Sequence, residues 1–199
     1  MSGIIYFSIL WYLWIIQTFF APKDTFRLVS AIFILSLIIL YPLEWNQRFV
    51  TLKPAFVLFY GGGWVLLASV NKRKQWTLVS LAAALSFLFA ALRLAEWYEP
   101  VVFLFGQTLT YVVLFSILFL VFAKTLRERA ALALITCLSG EIITQIHLFP
   151  WTQLVQAGDY FVLDTVVLIL FILHLHHLSA KAANVVFSRH SASSAHLPQ

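Results

Sequence analysis

Seven apolar runs separated by short polar loops decide the fold class of this chain. They cover residues 3–21, 28–43, 54–70, 76–95, 101–123, 130–149 and 160–178. A helix needs about 20 such residues to cross the hydrocarbon core, with roughly 17 to 25 tolerated. The second and third runs lie near the lower limit. Only 11% of residues are charged and mean hydropathy is +0.92, whereas soluble domains carry about 25% charged residues. The sequence therefore predicts an all-α, polytopic transmembrane bundle with seven spans, and the lipid bilayer is its first partner. Residues 1–178 form one membrane domain. Residues 179–199 lack an apolar period and are predicted to be a short, disordered cytoplasmic tail.

The bases set the orientation. Under seven spans, ten of the 13 Lys and Arg residues fall on one side: Lys23 and Arg27, Lys72 to Lys74, Lys124, Arg127 and Arg129, then Lys181 and Arg189. Only Arg48, Lys53 and Arg93 fall on the other. The richer side faces the cytoplasm, so the N-terminus is expected outside and the C-terminus inside. No basic stretch precedes the first run, which therefore reads as a retained span rather than a signal peptide. Trp45, Trp97 and Trp151 mark the outer interface as an aromatic belt. The net charge of +5 sits in short loops between spans, a pattern that fits anionic headgroups and not nucleic acid.

Against this background Glu141 stands out, in the sixth run at Ser139-Gly140-Glu141. A charge at the bilayer centre costs about 2.5 to 3.5 kcal/mol on insertion scales. Glu141 must face protein or water, or carry a proton. Other polar residues collect in the outer halves of spans four to seven: Arg93, Gln107, Thr110, Tyr111, Thr144, Gln145, His147 and Asp164, with Asp159 at the mouth. The functional reading is an outward-facing cavity. In it Glu141 and Asp164 bind a cation, a proton or a cationic group and can share one proton, while Arg93 tunes their charge. The competing reading is helix packing, since interhelical polar contacts contribute about 0.6 kcal/mol on average. Glu141 is read as functional, Asp164 is evenly balanced, and Arg93 reads as a base snorkelling to the interface. Gln107, Thr110, Tyr111 and Gln145 read as ordinary interhelical hydrogen-bonding residues.

Gly61-Gly62-Gly63 in the third run permits either close helix packing, the default, or a broken helix. Glu44-Trp45 and Glu96-Trp97 repeat after spans two and four, too short a match to establish a duplication. His174, His176 and His177 crowd the inner end of span seven, but no histidine occurs in spans one to five, and His147 lies toward the opposite face. They read as interfacial residues beside anionic lipid. No metal site or cofactor is implied, and the lone Cys137 excludes an internal disulfide. No zinc-protease, nucleophile-elbow or phosphate-loop motif occurs, so no catalytic residue is assigned.

The aromatic opening run from Tyr6 to Phe20 with Trp11 and Trp14, the Pro22-Lys23-Asp24 loop and Ser139-Gly140-Glu141 together resemble the small YphA-like integral membrane proteins of Bacillus-type bacteria. The resemblance spans the whole chain in general layout. It implies the plasma membrane of a Gram-positive bacterium and brings no activity or functional residues with it. Three roles stay open: a small transporter or ligand-binding protein using Glu141, a structural or assembly partner of a membrane complex or oligomer, and an intramembrane enzyme acting on lipid.

Overall fold

A computed structural model describes residues 3–19, 25–98 and 106–194. The Lys23 loop, the start of the fifth apolar run and the last five residues lie outside the described residues, as do the side chains of Trp97, Lys181, Arg189 and His190. Seven helices are present among those described: α1 (Ile4–Phe19), α2 (Thr25–Leu40), α3 (Pro54–Ala68), α4 (Lys72–Tyr98), α5 (Gln107–Phe122), α6 (Leu126–Thr152) and α7 (Tyr160–Ser194). Each lies on one of the seven apolar runs. The segments Lys72–Glu96, Leu126–Thr152 and Tyr160–Ala180 are long and apolar enough to cross a membrane. The other four helices have 15 or 16 residues, about 24 Å at 1.5 Å per residue, against a core of about 30 Å.

The central element is α6, which packs against α3, α4, α5 and α7. Its middle turns from Ala131 to Leu138 are buried on every side, as expected of a helix that is apolar all round. A capping box starts it: the Thr125 hydroxyl accepts from Glu128 N while Glu128 accepts from Thr125 N. Gln153, with φ of 51°, ends it. The helix begins four residues before its apolar run, because the capping box sets its start at Thr125 and Arg129 turns back to donate to Ala123 O at 2.9 Å. The backbone of α7 likewise stays helical beyond residue 178, through the stretch expected to be disordered. Ala180, Lys181, Ala182 and Ala183 are good helix formers, a signal that apolar periodicity does not register.

Helix ends meet in two groups. At one end, Lys74 pairs with Glu128 at 3.0 Å, and Gln75 donates to the Leu67 and Ala68 carbonyls that end α3 and to Val70 O just beyond it. The start of α4 thus joins the end of α3 and the start of α6. At the opposite end, the N-terminus of α1 meets the first turns of α7, and three short strands tie two loops together. Strands β1 (Trp45–Gln47), β2 (Val50–Leu52) and β3 (Val155–Ala157) form one sheet in the order β1-β2-β3. The first pair is antiparallel, with Asn46 opposite Thr51, and the second is parallel, with Thr51 opposite Gln156.

The seven helices bear out a helical membrane protein, and this small sheet is an addition to it. Its strands have three residues each, too few for a period to show, and the Arg48-Phe49 turn lacks the Asn-Gly or Asp-Gly signature of tight hairpins. The parallel pairing joins segments about a hundred residues apart, which no local pattern can announce.

The glycine run does not break α3, which is continuous from Pro54 to Ala68. A side chain on Gly63 would press on Leu134 and Ile135 of α6, and one on Gly62 on the Phe33 ring of α2. Close packing is the role of these two glycines.

Candidate functional site

On α6, Glu141, Thr144, Gln145, Leu148 and Thr152 recur at helical spacing and form one stripe pointing toward the sheet end. The neighbouring α4 comes close because residue 140 is glycine. A Cβ there would lie 2.7 Å from the Phe89 ring. One turn beyond Phe89, Arg93 then reaches Glu141.

Arg93 is turned inward, with 16% of its side chain exposed, so it faces protein. Its Nη1 donates to Glu96 Oε2 at 3.4 Å, and its Nε stands 3.7 Å from Glu141 Oε2. The guanidinium lies over the Phe161 ring of α7 at 4.3 Å, a contact of about 0.5 to 2 kcal/mol. Desolvation by the surrounding helices, not only chain length, decides where such a base goes, and periodicity leaves that undetermined. Tyr111 of α5, fully buried, donates its hydroxyl to Glu96 Oε2 at 3.1 Å.

Glu141 is completely buried. Its Oε1 accepts from Gln145 Nε2 at 2.8 Å. Its Oε2 has no hydrogen-bond partner, and neither has the Arg93 Nε facing it. A buried ion pair stabilises only with close geometry and its remaining valences satisfied. Neither condition holds at this gap.

Gln145 extends the cluster into the sheet, its Oε1 accepting from Gln156 N of β3 at 3.2 Å. Because a backbone N–H can only donate, this contact fixes which end of the amide faces Glu141. Next to this cluster is a cavity of about 380 Å³, lined by Arg93, Thr144, Gln145, Thr152, Gln156 and Asp159, with Leu148 and Leu154 as its apolar wall; Glu141 itself is not among the lining residues. That size falls within the range of about 300 to 1,000 Å³ usual for small-molecule sites.

The other expected site residues lie elsewhere. Asp164 does not join the cluster. Its two oxygens accept from Gly3 N and Tyr6 N, each at 2.8 Å, so it caps the N-terminus of α1 from the neighbouring helix. Gly3 has φ of 91°, a conformation that glycine tolerates and that aims its N–H at the carboxylate. His147 is exposed beside a shallow groove with Tyr98 and Trp151. Gln107 is exposed at the first residue of α5. Among the described residues no three His, Cys, Asp or Glu side chains gather as a metal-ligand group.

Sequence reasoning left out Glu96 and Gln156. Glu96 carried a usable signal, since it stands three residues after Arg93 on one helix face. Gln156 contributes its backbone, which no side-chain inventory would find.

The YphA-like integral membrane protein family model matches residues 2–196. The chain belongs to that family. The resemblance drawn from the aromatic opening run and Ser139-Gly140-Glu141 is thereby borne out. Membership makes this an integral membrane protein whose surroundings are lipid, in agreement with its apolar helices. No match was found among curated proteins or solved structures. The family thus supplies the environment, and the side chains described above supply the chemistry.

Proposed function

We propose that the protein is a small multi-pass transporter or solute-binding protein of the bacterial plasma membrane. All seven helices cross the bilayer, with the N-terminus and the short sheet outside and the C-terminus in the cytoplasm. The alternating grouping of helix ends supports this topology, as does the concentration of bases at the end where Lys74 meets Glu128. The cavity next to the Glu141 cluster then opens outward. Glu141 exchanges a proton, and Arg93 is its internal counter-ion.

The observation that carries this reading is the 3.7 Å gap between Glu141 Oε2 and Arg93 Nε, two buried polar atoms that face each other without a hydrogen bond. A carboxylate there attracts Arg93. A proton on Oε2 removes that attraction and leaves Arg93 to Glu96, so proton occupancy is coupled to the position of a side chain lining the cavity. A pair kept only for stability would close to hydrogen-bonding distance or be replaced by apolar residues.

Access is the first test. In a Cys137→Ser background, Gln145→Cys should react with a membrane-impermeant maleimide in intact cells, as should Gln47→Cys and Gln153→Cys, whereas Asn71→Cys should react only after permeabilisation. Reaction of Asn71→Cys alone in intact cells would invert the topology. Protection of Gln145→Cys in both conditions would close the cavity and refute the reading.

A further inference from the structure

The cavity lining offers donors at Arg93 and the Gln156 amide and, set apart from them, a group of acceptors at Thr144, Thr152 and Asp159. The Thr144 hydroxyl donates to Gly140 O at 2.9 Å, and the Thr152 hydroxyl donates to Leu154 O at 2.9 Å. A hydroxyl has one proton and two lone pairs, so both oxygens have spent their donor and can only accept, Thr152 with one lone pair already taken by Leu154 N. Gln145 commits its Nε2 to Glu141 and its Oε1 to Gln156 N. Arg93 points Nη1 at Glu96 and Nε toward Glu141. Asp159 makes no ion pair among the described residues and contributes an acceptor-only carboxylate.

Charge follows the same division. The charged lining residues are Arg93 and Asp159; Arg93 is already turned to Glu96 and Glu141, which are outside the lining, and Asp159 is left. A donor-rich, positively charged head fits the acceptor group around Asp159, the lining charge that has no counter-ion among the described residues. Leu148 and Leu154 in the same wall leave room for a short alkyl group, and the carboxylates do not converge as a metal-ligand group.

We propose that the cavity takes a small primary ammonium compound, its charged head held by Asp159 with the Thr144 and Thr152 oxygens, and its alkyl part against Leu148 and Leu154. This rests on the outward-opening cavity proposed above and names the class of solute that enters it. Ammonium and proton act on one negative field. Glu141 is faced by Arg93 and Glu96 from α4, Tyr111 from α5, Gln145 on its own helix and Asp159 at the start of α7. Protonating it weakens that field, so the two cations compete, the relation an exchanger of amine for proton requires.

The test uses the full chain in nanodiscs, with ethylammonium as probe and sodium, tetramethylammonium and acetate at equal ionic strength as comparisons. Ethylammonium should raise the unfolding temperature above each comparison, and its affinity should rise with pH. Asp159→Asn should weaken binding by about tenfold or more, as loss of a charge-assisted contact implies. Asp164→Asn, outside the cavity, should leave ethylammonium binding unchanged and shows whether a folding defect alone mimics the loss. Stabilisation by acetate instead, or equal effects of ethylammonium and sodium, would overturn the ammonium assignment while leaving the outward cavity standing. Ethylammonium binding that persists in Asp159→Asn would overturn the site. A protected Gln145→Cys would instead remove the cavity reading itself.

Discussion

Two carboxylates, Glu141 and Asp164, lie buried toward the same end of the molecule, and their surroundings are opposite. Both Asp164 oxygens accept short bonds from backbone N–H groups at the positive end of α1, where an anion is stabilised by those donors and by the helix dipole. Glu141 has one amide bond, a guanidinium held at 3.7 Å and an oxygen with no partner. A satisfied buried charge holds a structure together. An unsatisfied one is, under the proposed function, the one that changes state. The difference lies in the neighbours, because residue type and depth are nearly the same.

The comparison can be broken in several ways. The largest effect is expected from Arg93→Met, which leaves Glu96 and Glu141 buried without a counter-ion and should cost about 3 to 5 kcal/mol of stability, read from unfolding in detergent. A change below about 1 kcal/mol there would show that the cluster is already neutral. Next, Gly140→Ala drives a methyl group into Phe89 and should cost about 1 to 3 kcal/mol by overpacking. Because Phe89 is one turn from Arg93, the same change should also weaken ethylammonium binding.

A smaller cost, about 0.5 to 2 kcal/mol, is expected for Asp164→Ala, the usual range for losing a helix cap. Hydrogen exchange should rise at the first turn of α1 and not around α6. Smallest of all, Glu141→Gln should alter stability by less than about 1 kcal/mol, since the amide keeps an acceptor for Gln145 and removes an ill-paired charge. A larger loss than for Asp164→Ala would reverse the assignment of the two residues.

The sequence was informative wherever a signal was local. Each apolar run carries one of the seven helices, and Ser139-Gly140-Glu141 pointed to the central cluster. What stayed hidden depends on facing and on distant partners. Whether Arg93 turns to lipid or inward depends on how α4 is rotated against α6, which a helix that is apolar all round does not disclose. Asp164 could not be recognised as a cap, because the N–H groups it holds belong to residues 161 and 158 positions earlier in the chain. The three-stranded sheet was invisible for the same reason, since β2 and β3 come from different loops.

The contrast between Glu141 and Asp164 is tested most directly by following protonated carboxyl groups by infrared difference spectroscopy on the full chain in nanodiscs, with pH stepped between acid and alkaline values. A carboxylic acid carbonyl band that comes and goes with pH should be present in the native protein, absent from Glu141→Gln and unchanged in Asp164→Asn. A band that survives in Glu141→Gln, or disappears in Asp164→Asn alone, would contradict the account.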